Sequence, residues 1–294
     1  MQDAAPRFER ATAFSRTVGW ITDGEMAELG RKRVAIAGLG GVGGRHLLTL
    51  TRLGIGRFNL AEMDAFELAN FNRQAGARCS TIGLPKLEVM AGLAQDINPE
   101  LDLRLFPEGL TDGNLVSFLD GADLYVDSLD FFAFEARRAV FAACDRMGIP
   151  AITAAPLGMG AALLCFRPGG MTFEDYFRLA GCDPFEQSLR LLVGLAPAHL
   201  HAGYLADRSR VDLAGGNGPS TAMACELCAG IAGSEALRIL LHRSGGRWAP
   251  HGLQFDAYRQ RLARTWIPWG NAHPLQRLRL ALARRFLAPA RTTA

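Results

Sequence analysis

VAIAGLGGVGG at 34–44, FNLAEMD at 58–64, NFNRQ at 70–74 and GLPK at 83–86 are the landmarks of the stretch Val34–Lys86. The first is a short apolar strand, Val34–Ala37, running into Gly38, Gly40, Gly41 and Gly43, with an apolar helical run, His46–Leu53, behind it. Strand, glycine turn and helix in that order form a phosphate cradle. The glycines let backbone approach a polyphosphate, and the helix N-terminus points free N–H groups at the anion. A second strand ends at Glu62, about 20 residues on, where such a fold places a ribose-binding carboxylate. Beyond it lie Asn70, Arg73 and Lys86, assigned here to the nucleotide too, which a dinucleotide oxidoreductase does not need.

On either side of this stretch the chain keeps an α/β rhythm. Strands are predicted at Val34–Ala37, Arg57–Ala61, Leu101–Phe106, Leu124–Val126 and Ala151–Thr153, with Ala161–Phe166 as a further candidate. Helices are predicted at about 43–53, 85–96, 111–119 and 132–147. Short, nearly all-apolar strands alternating with helices predict a Rossmann-like, doubly wound, mostly parallel sheet with helices on both faces. Residues 1–33 read as an N-terminal arm with a short helix around Asp23–Leu29, and 34–168 as the nucleotide-binding half. Residues 169–247 hold an irregular crossover and a returning helix at Ser220–His242, and 248–294 an Arg-rich extension with an amphipathic helix near Leu275–Leu287.

Composition narrows the class. A net charge of +3 over 294 residues gives no global electrostatic case for nucleic acid. MQDAAPRFERATAF has no apolar core of signal-peptide type, and no apolar run is long enough to span a bilayer. Six scattered cysteines fit a reducing compartment, so the expectation is a cytoplasmic protein without a membrane. Only two lysines occur, Lys32 and Lys86. In a chain that otherwise uses Arg, Lys86 stands out as a compact, flexible point charge.

With a nucleoside triphosphate on the cradle, Glu62 accepts hydrogen bonds from ribose hydroxyls and Asp64 supports that contact or caps the following turn. Arg73 and Lys86 neutralise phosphate. Asp130, just past the fourth strand, sits where strand ends meet the ligand crevice. A carboxylate there suits Mg²⁺, which is held by one or two carboxylates plus phosphate oxygens. An anionic nucleophile attacking an anionic phosphate needs this density of positive charge.

These residues resemble the ubiquitin-activating-enzyme superfamily, in its small ThiF/MoeB/HesA-type branch. The matching pieces are Phe14–Val18, Gly38–Gly43, Glu62–Asp64, Asn70–Gln74, Gly83–Lys86, Ile97–Pro99 and Asp127–Asp130, with Gly230–Leu241 like the returning helix. The resemblance implies a homodimer that uses ATP and Mg²⁺ to adenylate a carboxylate, often the C-terminus of a small ubiquitin-like carrier protein or a peptide. It implies that Arg16 reaches the partner's phosphates. It also carries phosphate binding to Arg73 and Lys86, ribose binding to Glu62 and Mg²⁺ support to Asp130. The chain departs from the pattern in having Glu at 62, Phe at 131 and only one Cys-x-x-Cys pair.

Three readings compete with adenylation: a tRNA threonylcarbamoyladenosine cyclising dehydratase using the same nucleotide site, a nucleotide-binding protein that never turns over, and an NAD oxidoreductase. Cys225 and Cys228, three apart on a helix, read as small core residues rather than a metal or redox pair. Cys182 is a candidate thioester former with no base in view, and His199 and His201 a metal pair with no third ligand in view. The irregular 171–218 segment is expected to wall the acceptor groove.

Overall fold

The computed structural model describes residues 8–213 and 215–287. Helices α1 (Arg10–Ala13) and α2 (Asp23–Leu29) lead into β1 (Arg33–Ala37). There follow α3 (Gly43–Leu53), β2 (Arg57–Ala61), α4 (Lys86–Ile97), β3 (Asp102–Phe106), α5 (Leu115–Leu119), β4 (Leu124–Asp127), α6 (Phe134–Met147) and β5 (Ala151–Leu157). The remainder is β6 (Gly160–Phe166), α7 (Phe173–Phe177), α8 (Pro184–Leu195), α9 (Ala222–Leu240), β7 (His251–Asp256), β8 (Arg261–Trp266) and α10 (Pro274–Leu287).

The eight strands form one sheet in the order β3-β2-β1-β4-β5-β6-β7-β8. The first five are parallel, and β6, β7 and β8 add on antiparallel. Alternation along β1 explains the double winding. Val34 and Ile36 face a core shared with Leu47, Met90 and Ala232 of α3, α4 and α9, while Ala35 and Ala37 face Phe118, Phe141 and Tyr176 of α5, α6 and α7. Because β1 is wholly buried on both sides, it carries no polar alternation. A smaller cluster, Leu189, Val193, Leu213 and Leu280, joins α8 to α10.

The C-terminal segment departs from the expectation. Residues 248–294 are not only a helical appendage, because β7 and β8 continue the sheet before α10 begins. The cause is positional. β8 is an edge strand whose Arg261, Leu262, Arg264 and Trp266 are exposed, so its composition reads as solvated chain. The predicted helix at 111–119 shrinks to α5, its first turn given over to a loop in which Asn114 bonds back to Thr111 and Gly109. Among the described residues, no helix is long and apolar enough to cross a membrane.

Candidate functional site

The crevice lies outside the carboxyl ends of β1, β2, β4 and β5, where the strand order reverses direction from β1. One cavity of about 1520 Å³ opens there. The glycines divide its construction into two jobs. At Gly38, with φ +85°, a Cβ would overlap the Ser128 carbonyl oxygen, and at Gly43 it would overlap the Gly38 carbonyl oxygen. Those two permit close backbone approach. Gly40 and Gly41 line the cavity itself, while Gly43 does not.

Glu62 fastens the loop to β2. Its Oε2 accepts from the Leu39 N–H at 2.7 Å, and its Oε1 accepts from the N–H groups of Met63 and Asp64 at 2.9 and 3.0 Å. Lys86, at the first position of α4, is buried and pairs with Asp64 at 2.9 Å. Asp64 thus holds the lysine rather than capping a turn with its side chain.

Arg73 also lines the cavity. Its guanidinium donates to the Ala69 carbonyl and Asn72 Oδ1, and no carboxylate among the described residues pairs with it. Asn70 is not in the wall. Its Oδ1 accepts from Glu67 N–H and its carbonyl accepts from Arg73 and Gln74 N–H, so it shapes the turn that presents Arg73. Arg16 is exposed and is not part of the cavity lining of this single chain.

Asp130 is exposed on the cavity wall, its Oδ1 accepting from Phe132 N–H at 3.0 Å. Its loop is held from behind. The buried Asp127 carboxylate accepts from Arg137 Nε and Thr153 Oγ1, both at 2.9 Å, while Arg137 donates to the carbonyls of Leu129, Asp130 and Phe131. Phe131, where the resemblance expects Asn, packs against Phe132 and Phe134 and onto the α8–α10 cluster.

Sequence reasoning missed several wall residues. Gln74 and Ser128 line the cavity, yet Gln74 Oε1 and Ser128 Oγ have no hydrogen-bond partner among the described residues. Buried polar atoms of this kind are normally paired, and a bound nucleotide would pair them. Gln74 was in view within NFNRQ, directly after Arg73. Arg137 had no signal beyond its position in a helix.

The far half of the cavity is walled by the crossover, as expected for 171–218, and also by α10. Tyr204 donates to Asp256 Oδ2 at 2.6 Å and accepts from Met159 N–H at 2.7 Å. Gln254 Oε1 accepts from Ala198 N–H at 2.8 Å. Both anchors lie on β7 and hold His199, His201 and Tyr204 at the wall. Burial lowers His201 to about 4, helped by neighbouring His199, and burial followed by Arg279 lowers His199, so both are uncharged at neutral pH. Burial and Asp256 push Tyr204 up to about 12.

Cys225 and Cys228 are both fully buried, as read from the sequence, and Cys225 also borders the cavity beside Gly41. Burial raises the Cys225 thiol despite Ser220 and the nearby Arg73. Cys182 lies outside the cavity lining, and burial raises its thiol as well. No cluster of three or more His, Cys, Asp or Glu residues suited to a metal occurs among the described residues.

Comparison with known proteins agrees with this geometry. Residues 14–276 match the model of the ThiF family. A tRNA threonylcarbamoyladenosine dehydratase of Bacillus subtilis is 33% identical over 150 residues, 51% of this chain and 57% of that protein. The sulfur carrier protein ThiS adenylyltransferase of Escherichia coli is 33% identical over 136 residues, 46% of this chain and 53% of its own length. The chain therefore spans about half the length of the curated relatives it matches. A crystal structure of PaaA superposes with a TM-score of 0.65 at 16% identity, covering 90% of this chain and 77% of PaaA, which shows the shared fold.

Proposed function

The chain belongs to the ThiF family, and from that premise we propose that it is an ATP-dependent adenylyltransferase. It activates a carboxylate, the C-terminus of a small carrier protein or a peptide, as an acyl-adenylate with release of pyrophosphate. The observation that carries this reading is Arg73, a cation with no carboxylate partner among the described residues, beside the glycine loop and facing the cavity.

ATP supplies the electrophilic α-phosphorus and Mg²⁺ neutralises its oxygens. The remaining work falls to the chain. The Gly40–Gly41 backbone and Arg73 hold phosphate, and Lys86, fixed by Asp64, adds a second positive charge. Glu62 turns its remaining lone pairs to the ribose. Asp130, on a loop fastened by Arg137, is the carboxylate for Mg²⁺. Positioning and preorganised charge lower the barrier when two anions must meet. As the family resemblance implies, Arg16 would complete this set from the partner of a homodimer. The site belongs in the cytoplasm, where ATP is abundant and the free cysteines stay reduced. The nucleotide half is 34–168, with 169–247 and the segment from 248 on supplying the acceptor side.

ATP–pyrophosphate exchange tests this with wild type, Arg73→Ala and Asp130→Ala, offering carrier proteins, free-carboxylate peptides and bulk tRNA in turn. Exchange with a carrier protein or peptide that is lost in both variants supports this reading. ATP binding without exchange for any acceptor refutes it. A second reading, the tRNA dehydratase, draws on the similarity to the B. subtilis enzyme; ATP consumption that requires tRNA selects it.

A further inference from the structure

A single-ligand pocket occupies roughly 300–1,000 Å³, and this cavity measures about 1520 Å³. It has room for a nucleotide and a second substrate. The second compartment is walled by α10, a helix that lies outside the nucleotide-binding half. Leu282 and Phe286, one turn apart on that helix, line the cavity while remaining 46% and 75% exposed. Leu280, on the other side of α10, is buried against Leu189 and Val193 of α8. The helix is therefore packed by one face and presents uncovered apolar side chains to the cavity with the other.

Polar groups stand beside this stripe. Arg279 donates to Gln276 Oε1 at 2.7 Å and pairs with no carboxylate among the described residues. His201 Nδ1 is buried without a hydrogen-bond partner. A bare hydrocarbon would leave the His201 nitrogen unpaired, whereas the amides of a peptide backbone supply the partner it lacks and can also meet the remaining Arg279 donors. A glycine-only tail would leave Leu282 and Phe286 in water.

We infer that this compartment holds the C-terminal segment of a peptide chain carrying a bulky apolar side chain within its last few residues, with Leu282 and Phe286 as the specificity-determining contacts. The inference rests on the adenylation reading for its orientation, since the free carboxylate must point toward the cradle.

The test uses the full chain loaded with a non-hydrolysable ATP analogue and Mg²⁺. Fluorescein-labelled hexapeptides with free C-termini, in which Leu, Phe or Gly occupies each of the last four positions in turn, are titrated by fluorescence anisotropy. The Leu and Phe peptides should bind at least about tenfold more tightly than the all-Gly peptide at one or more positions. The Leu282→Ser/Phe286→Ser variant should bring that preference to within about twofold, with nucleotide affinity and melting temperature unchanged because both side chains are exposed. Equal or tighter binding of the all-Gly peptide, a preference that survives the variant, no peptide binding, or displacement by bulk tRNA overturns the inference. Pyrophosphate exchange with the same peptides separates the two claims. Exchange confined to glycine-ended peptides keeps adenylation and overturns the inference. Selective binding without exchange does the reverse.

Discussion

Replacing Arg137 with methionine keeps most of its volume and removes its charge from beneath the Asp130 loop. The side chains of Arg137 and Asp127 are only 5% and 2% exposed. Removing one member of such a pair leaves the other charge buried, at a cost of about 3–5 kcal/mol. The carbonyls of Leu129, Asp130 and Phe131 lose their donor too, but they border the cavity and water can replace it. The destabilisation should therefore stay near the figure for the broken pair, a fall in melting temperature of roughly 6–15 °C. Thermal melts and urea midpoints of wild type, Arg137→Met, Asp127→Asn and the double variant measure it. The double variant carries no buried charge, so it should be less harmed than the two single losses together, by about 2 kcal/mol. Pyrophosphate exchange should fall in Arg137→Met at temperatures where it is folded, because Asp130 is no longer fixed. A single variant within about 1 kcal/mol of wild type, or strict additivity of the two losses, would refute this account of the loop.

Three further outcomes follow from the same structure. Gly38→Ala should be strongly destabilising, because its Cβ would meet the Ser128 carbonyl at a φ of +85°, whereas Gly40→Ala meets only the Gln74 amide at 3.6 Å; melting curves should separate them, with Gly40→Ala losing nucleotide affinity alone. His46 is buried with both ring nitrogens unpartnered and its pKa is lowered by burial to about 4. Protons therefore bind the unfolded chain first, so this stability is present above the unfolded value near 6.5 and is lost as pH falls toward 4. Urea unfolding should show about 2 kcal/mol lost by about pH 5, and His46→Leu should remove that part of the slope. Tyr204→Phe strips a hydroxyl from Asp256 and Met159 and should raise the acceptor KM about tenfold with the ATP KM unchanged; equal changes in both would place the residue elsewhere in the reaction.

The nucleotide half was legible because its physics is local. A glycine turn between a buried strand and a helix needs particular residues at particular spacings, and Gly38, Glu62, Arg73, Lys86 and Asp130 stand in order along one stretch of chain. What pattern alone could not supply was the division of labour. Asn70 looks like a ligand contact in NFNRQ, yet its side chain closes its own turn. Asp64 reads as supporting the ribose contact or capping a turn, and its carboxylate pairs with Lys86. Such outcomes depend on which neighbour lies nearer in space. The C-terminal strands were hidden for a different reason. An edge strand with arginines outward has no apolar alternation to betray it, and its pairing partner β7 shows only Gln254 and Asp256 as deeply buried positions.

Those two polar residues change how the acceptor side is to be understood. A buried glutamine and a buried aspartate on a strand would be costly without partners. Here their partners are Ala198 and Tyr204, on the segment that faces the cavity. The hairpin that reads as an appendage is thus what fixes the crossover wall. Phe131 makes the converse link. It sits next to the proposed metal carboxylate and packs into the cluster formed by α8 and α10, where an asparagine could not. The carboxylate loop is therefore built from both directions, by Arg137 beneath it and by the C-terminal helix in front. A division of the chain into a nucleotide half and a tail describes the order of synthesis, while the site itself is made by the contact between them.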